Sequence, residues 1–323
     1  MLVVLTIPIY LITTVVVWLV APPNPPPHAQ TLLNLIATGW RSPILVTSVY
    51  GVASFLVQST KEGLERRNLE LQRTVEHGAA RLEMQEQELQ RAREIQESLL
   101  PREAPQLAGF EVAGAWLPAR SVSGDYYDVL RLGGHRLGIC IADVAGKGVS
   151  AALLMANVQA AARAFASESE SPARVCGKVN SLLHENIAIG KFVTFLYGIL
   201  DGERRTFEYC NAGHLYPILV SGGTVRMPEE GGGAVLGVFP AWNYEDSTIE
   251  LKAGDRLLLF TDGITEAADT DGREFDERSV AAFAKANARL SATELNRGLL
   301  GQVTVHCGAR FQDDATLLVI AAN

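Results

Sequence analysis

The pattern of hydrophobic and polar positions changes twice along the chain. Residues 1–59 are mostly apolar, residues 60–103 mix charged and apolar positions with a helical period, and residues 104–323 contain short alternating runs typical of β-strands. These changes predict three regions: a membrane anchor at 1–59, a helical connector at 60–103 and a globular domain at 104–323.

The membrane anchor is predicted from two apolar stretches. Leu2–Val20 contains no charged residue, is interrupted only by Pro8 and is about long enough to cross a bilayer. A proline-rich loop at Pro22–Pro27 follows, and a second apolar stretch covers residues 32–57. Basic residues follow the second stretch but are absent from the loop: Lys61, Arg66, Arg67 and Arg73. The positive-inside rule then predicts two spans in the inner or plasma membrane, joined by a short outside loop, with both ends of the chain and the catalytic region in the cytoplasm.

Other interpretations of this region stay open. A single span, a buried helix or a signal peptide would also explain an apolar N-terminus, although no basic residue precedes the apolar run and Val20-Ala21-Pro22-Pro23 is a poor cleavage site. Pro8 inside the first stretch also allows that the natural chain starts before Met1.

The connector has the composition and spacing of a coiled coil. Its apolar residues fall on an a/d heptad seam: Leu64, Leu71, Val75, Leu82, Leu89, Ala92 and Leu99. Gly78 and Gln85 weaken this seam, and Pro101 is expected to end the helix. The seam predicts a homodimer formed through residues 60–100, with a solvated amphipathic helix as the alternative.

The third region is predicted to be α+β. The expected strands are Phe110–Trp116, Tyr127–Leu132, Arg136–Ala142, Thr194–Asp201, Thr206–Asn211, Tyr216–Ser221, Ser247–Leu251, Arg256–Thr261 and Ala315–Ile320. The expected helices are Val149–Ala166, Ala173–Ile189, Glu277–Ala288 and Ala292–Val305. Strands joined by hairpins, with helices in consecutive pairs, favour antiparallel sheets covered by helices over a βαβ repeat.

Charge and cysteine usage exclude several classes of protein. The formal net charge of −8 argues against a general nucleic-acid binder. The four cysteines show no C-x-x-C spacing, which argues against a zinc site or a disulfide framework and favours buried thiols in a reducing compartment.

Four acidic clusters carry the candidate chemistry. Asp125, Asp143, Asp262 and the Asp313–Asp314 pair each lie beside a predicted strand end or a tight turn, and the first three have a glycine within three residues. Mg²⁺ and Mn²⁺ prefer carboxylate oxygens, and two such ions can activate a shared water for attack on a phosphate ester. One Asp-Gly cluster alone is usually a turn. All of them together predict one metal centre that hydrolyses phosphate esters.

These clusters, in this order, resemble the SpoIIE/RsbU branch of the PPM-class (type 2C) metal-dependent serine/threonine phosphatases. The resemblance covers about residues 92–323 and rests on motifs at 92–101, 117–128, 141–148, 211–217, 260–267 and 313–316. It implies two stacked antiparallel β-sheets flanked by helices, preceded here by the transmembrane segments and the long connector.

The resemblance also implies roles for the acidic residues. Asp143 would bridge two Mn²⁺ or Mg²⁺ ions, while the carbonyl of Val144 and the carboxylate of Asp125 would hold one of them. Asp262 and Asp313 would hold the other ion. Asp143 and Asp125 are therefore the predicted catalytic residues.

The remaining site predictions concern residues around these ligands. Of the two adjacent aspartates, Asp313 rather than Asp314 is expected to be the metal ligand. Arg120 and Lys147 are candidate contacts to the substrate phosphate, with a solvated surface arginine as the alternative for Arg120. His214 is interpreted as a turn residue. The residues directly after Asp143 are Val144-Ala145-Gly146-Lys147 and include no histidine, so protonation of the leaving group is expected to come from water.

The function implied is removal of phosphate from phosphoserine or phosphothreonine of a signalling protein, a STAS-domain anti-sigma antagonist in many relatives. The whole chain would be a membrane-tethered dimeric phosphatase. Two alternatives remain: a catalytically inactive scaffold of the same fold, and a two-metal hydrolase of small phosphate esters or nucleotides.

Overall fold

A computed structural model of the 323-residue chain describes residues 43–167, 171–187 and 190–323. The predicted span Leu2–Val20 and the proline-rich loop lie outside the described residues. The chain divides into two units, Met1–Met84 and Gln85–Asn323, and each is described by itself.

The first described element is helix α1, Pro43–Leu99. It is continuous across the predicted boundary between anchor and connector, so the boundary at residues 59 and 60 stays a prediction. In the first unit the seam side chains of α1 are all exposed: Leu64, Leu71, Val75 and Leu82. The only described helix that is long and apolar enough to cross a bilayer is Val149–Ala166, and one face of that helix is buried in the second unit.

The second unit contains two β-sheets. The first sheet has the order β1 (Phe110–Leu117), β11 (Ala315–Ala322), β10 (Arg256–Phe260), β6 (Ile218–Ser221) and β7 (Thr224–Arg226). The second has the order β2 (Tyr126–Arg131), β3 (Arg136–Val144), β4 (Val193–Asp201), β5 (Thr206–Ala212) and β8 (Gly232–Gly233), with β9 (Ser247–Glu250) also paired to β5. All pairs are antiparallel except β5 with β8.

Helices cover the outer faces of both sheets. Helices α2 (Val149–Ala166) and α3 (Pro172–Asn186) pack on the second sheet, and α5 (Asp276–Ala286) and α6 (Ala292–His306) pack on the first. Alternation along β10 follows from this layering, because Leu257 and Leu259 face the other sheet while Leu258 and Phe260 face α5 and α6. The predicted α+β class, with sheets covered by helices, is confirmed.

Three short elements were not predicted. Strand β7, strand β8 and the four-residue helix α4 (Asp262–Thr265) are too short for a periodic pattern to appear. Helix α4 matters for function because it begins at one of the candidate ligands, directly after β10.

Candidate metal centre

Strand pairing brings the candidate carboxylates to one end of the two sheets. Asp125 directly precedes β2, and Asp143 is the penultimate residue of β3, which pairs with β2. Asp262 follows β10, and Asp313 precedes β11, which pairs with β10. The two strand pairs belong to different sheets, so each sheet supplies two of these residues.

Asp125 is held inside the protein by hydroxyl groups from the other sheet. Its side chain is buried, and its Oδ2 accepts hydrogen bonds from Thr261 Oγ1 at 2.7 Å and Thr316 Oγ1 at 2.6 Å. Burial and the neighbouring charge of Asp143 raise the pKa of Asp125 well above its usual value, and the two hydroxyls oppose that shift. We call Asp125, Thr261 and Thr316 the buried half of the site.

Asp143 lies among the other candidate carboxylates. Burial, followed by repulsion from Asp262, Asp313 and Asp314, raises the pKa of Asp143 to about 7. Asp143 also lies in the strand that pairs with the one that Asp125 directly precedes, with Ala142 opposite Tyr126. A cation at this position would relieve the repulsion.

The other end of the site is more open and contains a lysine. Burial, then repulsion from Glu266 and Asp313, raises the pKa of Asp262 to about 6, while Lys147 acts in the opposite direction. Asp313 Oδ2 lies 2.7 Å from Lys147 Nζ, and about a third of each side chain is exposed. We call Asp262, Asp313 and Lys147 the open half of the site.

Asp314 differs from Asp313 in what its carboxylate contacts. Its two oxygens accept hydrogen bonds from the backbone N–H of Ala119 at 2.8 Å and of Gly124 at 2.9 Å. Both oxygens therefore hold the loop that carries Asp125. Whether Asp313 or Asp314 holds an ion stays a prediction, and the backbone donors on both Asp314 oxygens favour Asp313.

Two glycines allow the acidic segments to approach each other. A Cβ on Gly263 would lie 2.0 Å from the carbonyl oxygen of Asp314, and a Cβ on Gly124 would lie 3.1 Å from the carbonyl oxygen of Val144. Any side chain at Gly263 would collide with backbone, so glycine is required there for close packing. Gly124 leaves space beside the Val144 carbonyl, the predicted backbone ligand.

The comparison that decides the family is a match of residues 133–323 to the model for Stage II sporulation protein E (SpoIIE). The chain belongs to the SpoIIE family. It is 29% identical to phosphoserine phosphatase RsbU of Bacillus subtilis over 235 residues, which cover 72% of this chain and 69% of RsbU. The family member described here is accordingly a protein serine/threonine phosphatase.

Solved structures show the same fold. The RsbU and RsbW domains of Rv1364c from Mycobacterium tuberculosis match with 30% identity and a TM-score of 0.56, covering 68% of this chain and 62% of that one. The SiaA-PP2C domain of Pseudomonas aeruginosa matches with 24% identity and a TM-score of 0.68, covering 76% of this chain and all of that one. The second likeness supports the fold alone.

The candidate metal centre is supported by one residue that was not predicted from the sequence. Gln96, in the last turns of α1, is buried; its Nε2 donates to the Ser123 carbonyl at 2.9 Å and its Oε1 accepts from the Ser123 N–H at 3.0 Å. Ser123 Oγ in turn accepts from the Asp125 N–H at 3.0 Å. The family resemblance at residues 92–101 indicated that this segment matters. The contact of Gln96 with Ser123 could not be inferred without the fold.

His214 connects the two sheets behind the SpoIIE-family site. It donates from Nε2 to the Phe260 carbonyl at 3.1 Å, and its Nδ1 accepts from Thr194 Oγ1 at 2.9 Å. Burial lowers the pKa of His214 to about 4, so the ring is neutral at pH 7. Its backbone N–H donates to Asn211 Oδ1 at 2.7 Å, in agreement with the prediction of a turn residue.

The two predicted phosphate contacts occupy different surroundings. Arg120 is exposed on the loop between β1 and β2, whereas Lys147 contacts Asp313 and the carbonyl of Gln312. A contact of either side chain with the substrate phosphate stays a prediction.

The donor chemistry of the SpoIIE-family site fits Mg²⁺ or Mn²⁺. Among the described residues, no three Asp, Glu, His or Cys side chains are already arranged to hold one ion. The available donors are carboxylate and carbonyl oxygens, which such ions prefer, and both ions usually keep several waters and need few protein ligands. Repulsion among the carboxylates, balanced in part by Lys147, is the feature that points to a cation.

Proposed function

We propose that this SpoIIE-family phosphatase removes phosphate from phosphoserine or phosphothreonine of a signalling protein, using Asp143 and Asp125 as catalytic residues. The observation that carries the proposal is the convergence of carboxylates from both sheets, with Asp143 placed between the buried half and the open half. A scaffold without activity would have no need for this concentration of mutually repelling carboxylates.

The ligand roles follow the order of the residues around the site. Asp143 would contact both of two divalent ions, Asp125 and the Val144 carbonyl would hold one, and Asp262 and Asp313 would hold the other. Bound Mn²⁺ or Mg²⁺ ions supply neutralisation of phosphoryl charge and activation of a water. The chain itself orients the site through the Thr261 and Thr316 hydroxyls and the backbone donors held by Asp314.

The phosphatase assay uses the full chain purified in detergent, a phosphoserine peptide, and Mn²⁺ or Mg²⁺ compared with EDTA. Activity is expected only with metal, and Asp143→Asn and Asp262→Asn are each expected to lower kcat by at least about 100-fold. Asp271→Asn, on an exposed loop, is the control and should retain activity. Undiminished activity in the first two variants would disprove the assignment, and an inactive wild-type chain would favour the scaffold alternative.

The proposed substrate is a STAS-domain anti-sigma antagonist. Support comes from the similarity to RsbU and to a protein whose solved structure contains RsbU and RsbW domains. A phosphorylated STAS protein encoded beside this gene should be dephosphorylated with a kcat/KM at least tenfold above that of an unrelated phosphoprotein. Equal rates for the two proteins would argue against this substrate class.

The proposed assembly is a homodimer formed through residues 60–100 of α1. The exposed seam is the support, because isolated amphipathic helices rarely leave such a stripe in water. Leu71→Glu combined with Leu82→Glu should convert the dimer to a monomer in light-scattering measurements. Leu69→Glu changes another exposed leucine outside the seam and should leave the dimer intact. An unchanged dimer in the seam variant would rule out this interface.

The proposed location is the inner or plasma membrane, with residues 1–59 as anchor, 60–103 as connector and 104–323 as a cytoplasmic catalytic domain. The apolar stretches and the basic residues after them are the support. Deleting residues 1–59 should move the protein from the membrane fraction to the soluble fraction. A full-length protein found only in the soluble fraction would contradict the anchor.

A further inference from the structure

Lys147 extends across the site from the turn after β3 to the segment before β11. Its Nζ lies 2.7 Å from Asp313 Oδ2 and donates to the Gln312 carbonyl at 2.8 Å. The turn that carries Lys147 follows β3 of the second sheet, and the segment that carries Asp313 precedes β11 of the first sheet. The ammonium group therefore links the two sheets at the open half of the site.

The charge of Lys147 acts on both carboxylates of the open half. It is paired with Asp313, and it is the cation that lowers the pKa of Asp262 against the effects of burial and of Glu266. A divalent ion shared by Asp262 and Asp313 would be attracted by these same charges. The Lys147 ammonium and such an ion would therefore compete for the negative charges of Asp262 and Asp313.

The surroundings of Lys147 allow its side chain to leave Asp313. Gly146 and Gly148 on either side have φ angles of +101° and +81°, which glycine adopts without steric cost. The Lys147 side chain is 38% exposed, so leaving Asp313 moves the ammonium into solvent and not into the core. The second lysine near this turn, Lys191, donates to the Ala145 carbonyl at 2.9 Å.

We propose that Lys147 is an internal cation that occupies the open half of the site and is displaced from Asp313 when a divalent ion binds there. This rests on the proposed function, in which Asp262 and Asp313 hold one ion. Lys147 lowers the affinity of Asp262 and Asp313 for the divalent ion. When no ion is bound, Lys147 holds Asp313 in place. Once displaced, its ammonium lies at the edge of the site.

The first test measures Mn²⁺ binding to the full chain in detergent by isothermal titration calorimetry. Lys147→Gln should bind the weaker of two Mn²⁺ ions about three- to fivefold more tightly, the upper part of the range expected for loss of a partly exposed ion pair. Lys147→Arg retains a cation and should stay within about twofold of the wild type. Lys191→Gln removes a lysine from the same turn region without breaking a carboxylate pair and should also stay within about twofold.

The second test detects displacement directly. Wild-type protein is treated briefly with acetic anhydride with and without Mn²⁺, and labelling of each lysine is measured by mass spectrometry. Lys147 should become at least about twofold more reactive with Mn²⁺, while Lys191 should not change, because only Lys147 loses a carboxylate partner.

The outcomes separate this inference from the proposed function. If wild-type protein binds two Mn²⁺ ions but Lys147→Gln leaves the affinity unchanged, or Lys147 labelling does not rise, the internal-cation role is overturned alone. If wild-type protein binds no Mn²⁺, the proposed function fails and this inference fails with it. A gain of equal size in Lys191→Gln would show a general charge effect and would also overturn the role.

Discussion

The buried half and the open half of the site hold their carboxylates in different ways. Asp125 is 1% exposed, and two threonine hydroxyls from the opposite sheet hold one of its oxygens. Asp313 has a side chain that is 34% exposed, and its ion-pair partner is a lysine on a glycine-flanked turn. The buried half is held by hydrogen bonds from uncharged hydroxyl groups within the fold. The open half is held by an ion pair that solvent can reach.

This difference suggests separate contributions to the site. Hydroxyl donors buried between two sheets fix the position of Asp125 before any ligand arrives, which is the usual role of groups that support metal ligands. A partly exposed ion pair contributes little stability and exchanges readily. We therefore expect removal of the hydroxyls that hold Asp125 to change metal affinity more than removal of the lysine that pairs with Asp313.

Apart from replacement of the candidate ligands themselves, the largest effect is expected from removing both hydroxyls that hold Asp125. Thr261→Val combined with Thr316→Val keeps the side-chain shape but leaves Asp125 Oδ2 without donors, so Mn²⁺ affinity should fall about 10- to 100-fold in calorimetry. Thr304→Val removes a hydroxyl that donates to a carbonyl within α6 and should leave the affinity unchanged. Wild-type affinity in the double variant would remove the distinction between the halves.

An intermediate effect is expected at Asp314. Asp314→Asn offers one acceptor oxygen where two backbone N–H groups now donate, so the free energy of unfolding should fall by about 1–3 kcal/mol in a denaturant titration. Asp201→Asn is the matched control: Asp201 Oδ1 also accepts from two backbone N–H groups, in an exposed turn away from the site. Equal losses in both variants would show that Asp314 has no special role in holding the Asp125 loop.

A separate effect is expected in the pH dependence of the metal-free protein. The pKa values of Asp143 and Asp262, about 7 and about 6, exceed the unfolded value of about 3.9. The protonated forms are thus favoured in the folded state, and the stability they contribute is present below about pH 4 and lost as pH rises through 6–7. In EDTA, Tm should fall from pH 5 to pH 8, by about 2–4 °C per kcal/mol lost.

Asp143→Asn tests the origin of this slope, because the amide does not ionise and relieves the repulsion on its neighbours. Its Tm should change less between pH 5 and pH 8 than that of the wild type, whereas Asp271→Asn should keep the wild-type slope. A steeper fall in Asp143→Asn would mean that other groups control stability in this range.

Much of the fold could be predicted because its elements are long enough to show a period. The pattern of Val149–Ala166, begun after Gly148, matched helix α2 in both bounds, and the predicted strands Tyr127–Leu132 and Arg136–Ala142 correspond to β2 and β3. Strand β8 consists of two glycines and has no side-chain pattern, so only its pairing with Asn211 and Ala212 reveals it. Helix α1 continues through the expected boundary at residue 60 because no helix-breaking residue lies there.

The candidate ligands were accessible from sequence because each stands in a recognisable turn, but their surroundings were not. The contacts of Thr261 and Thr316 with Asp125 depend on how β10 and β11 face the other sheet, which spacing along the chain does not determine. Lys147 was predicted to meet a phosphate, and its contact with Asp313 depends on a segment far away in sequence. Tertiary pairing supplies both facts.

The number of Mn²⁺ ions bound per chain, measured by calorimetry on the full-length protein in detergent, tests the central claim most directly. If Asp143 joins the two halves of the site, wild-type protein should bind two ions, Asp313→Asn one, and Asp143→Asn neither with comparable affinity. Two ions bound to Asp143→Asn with wild-type affinity would contradict the account.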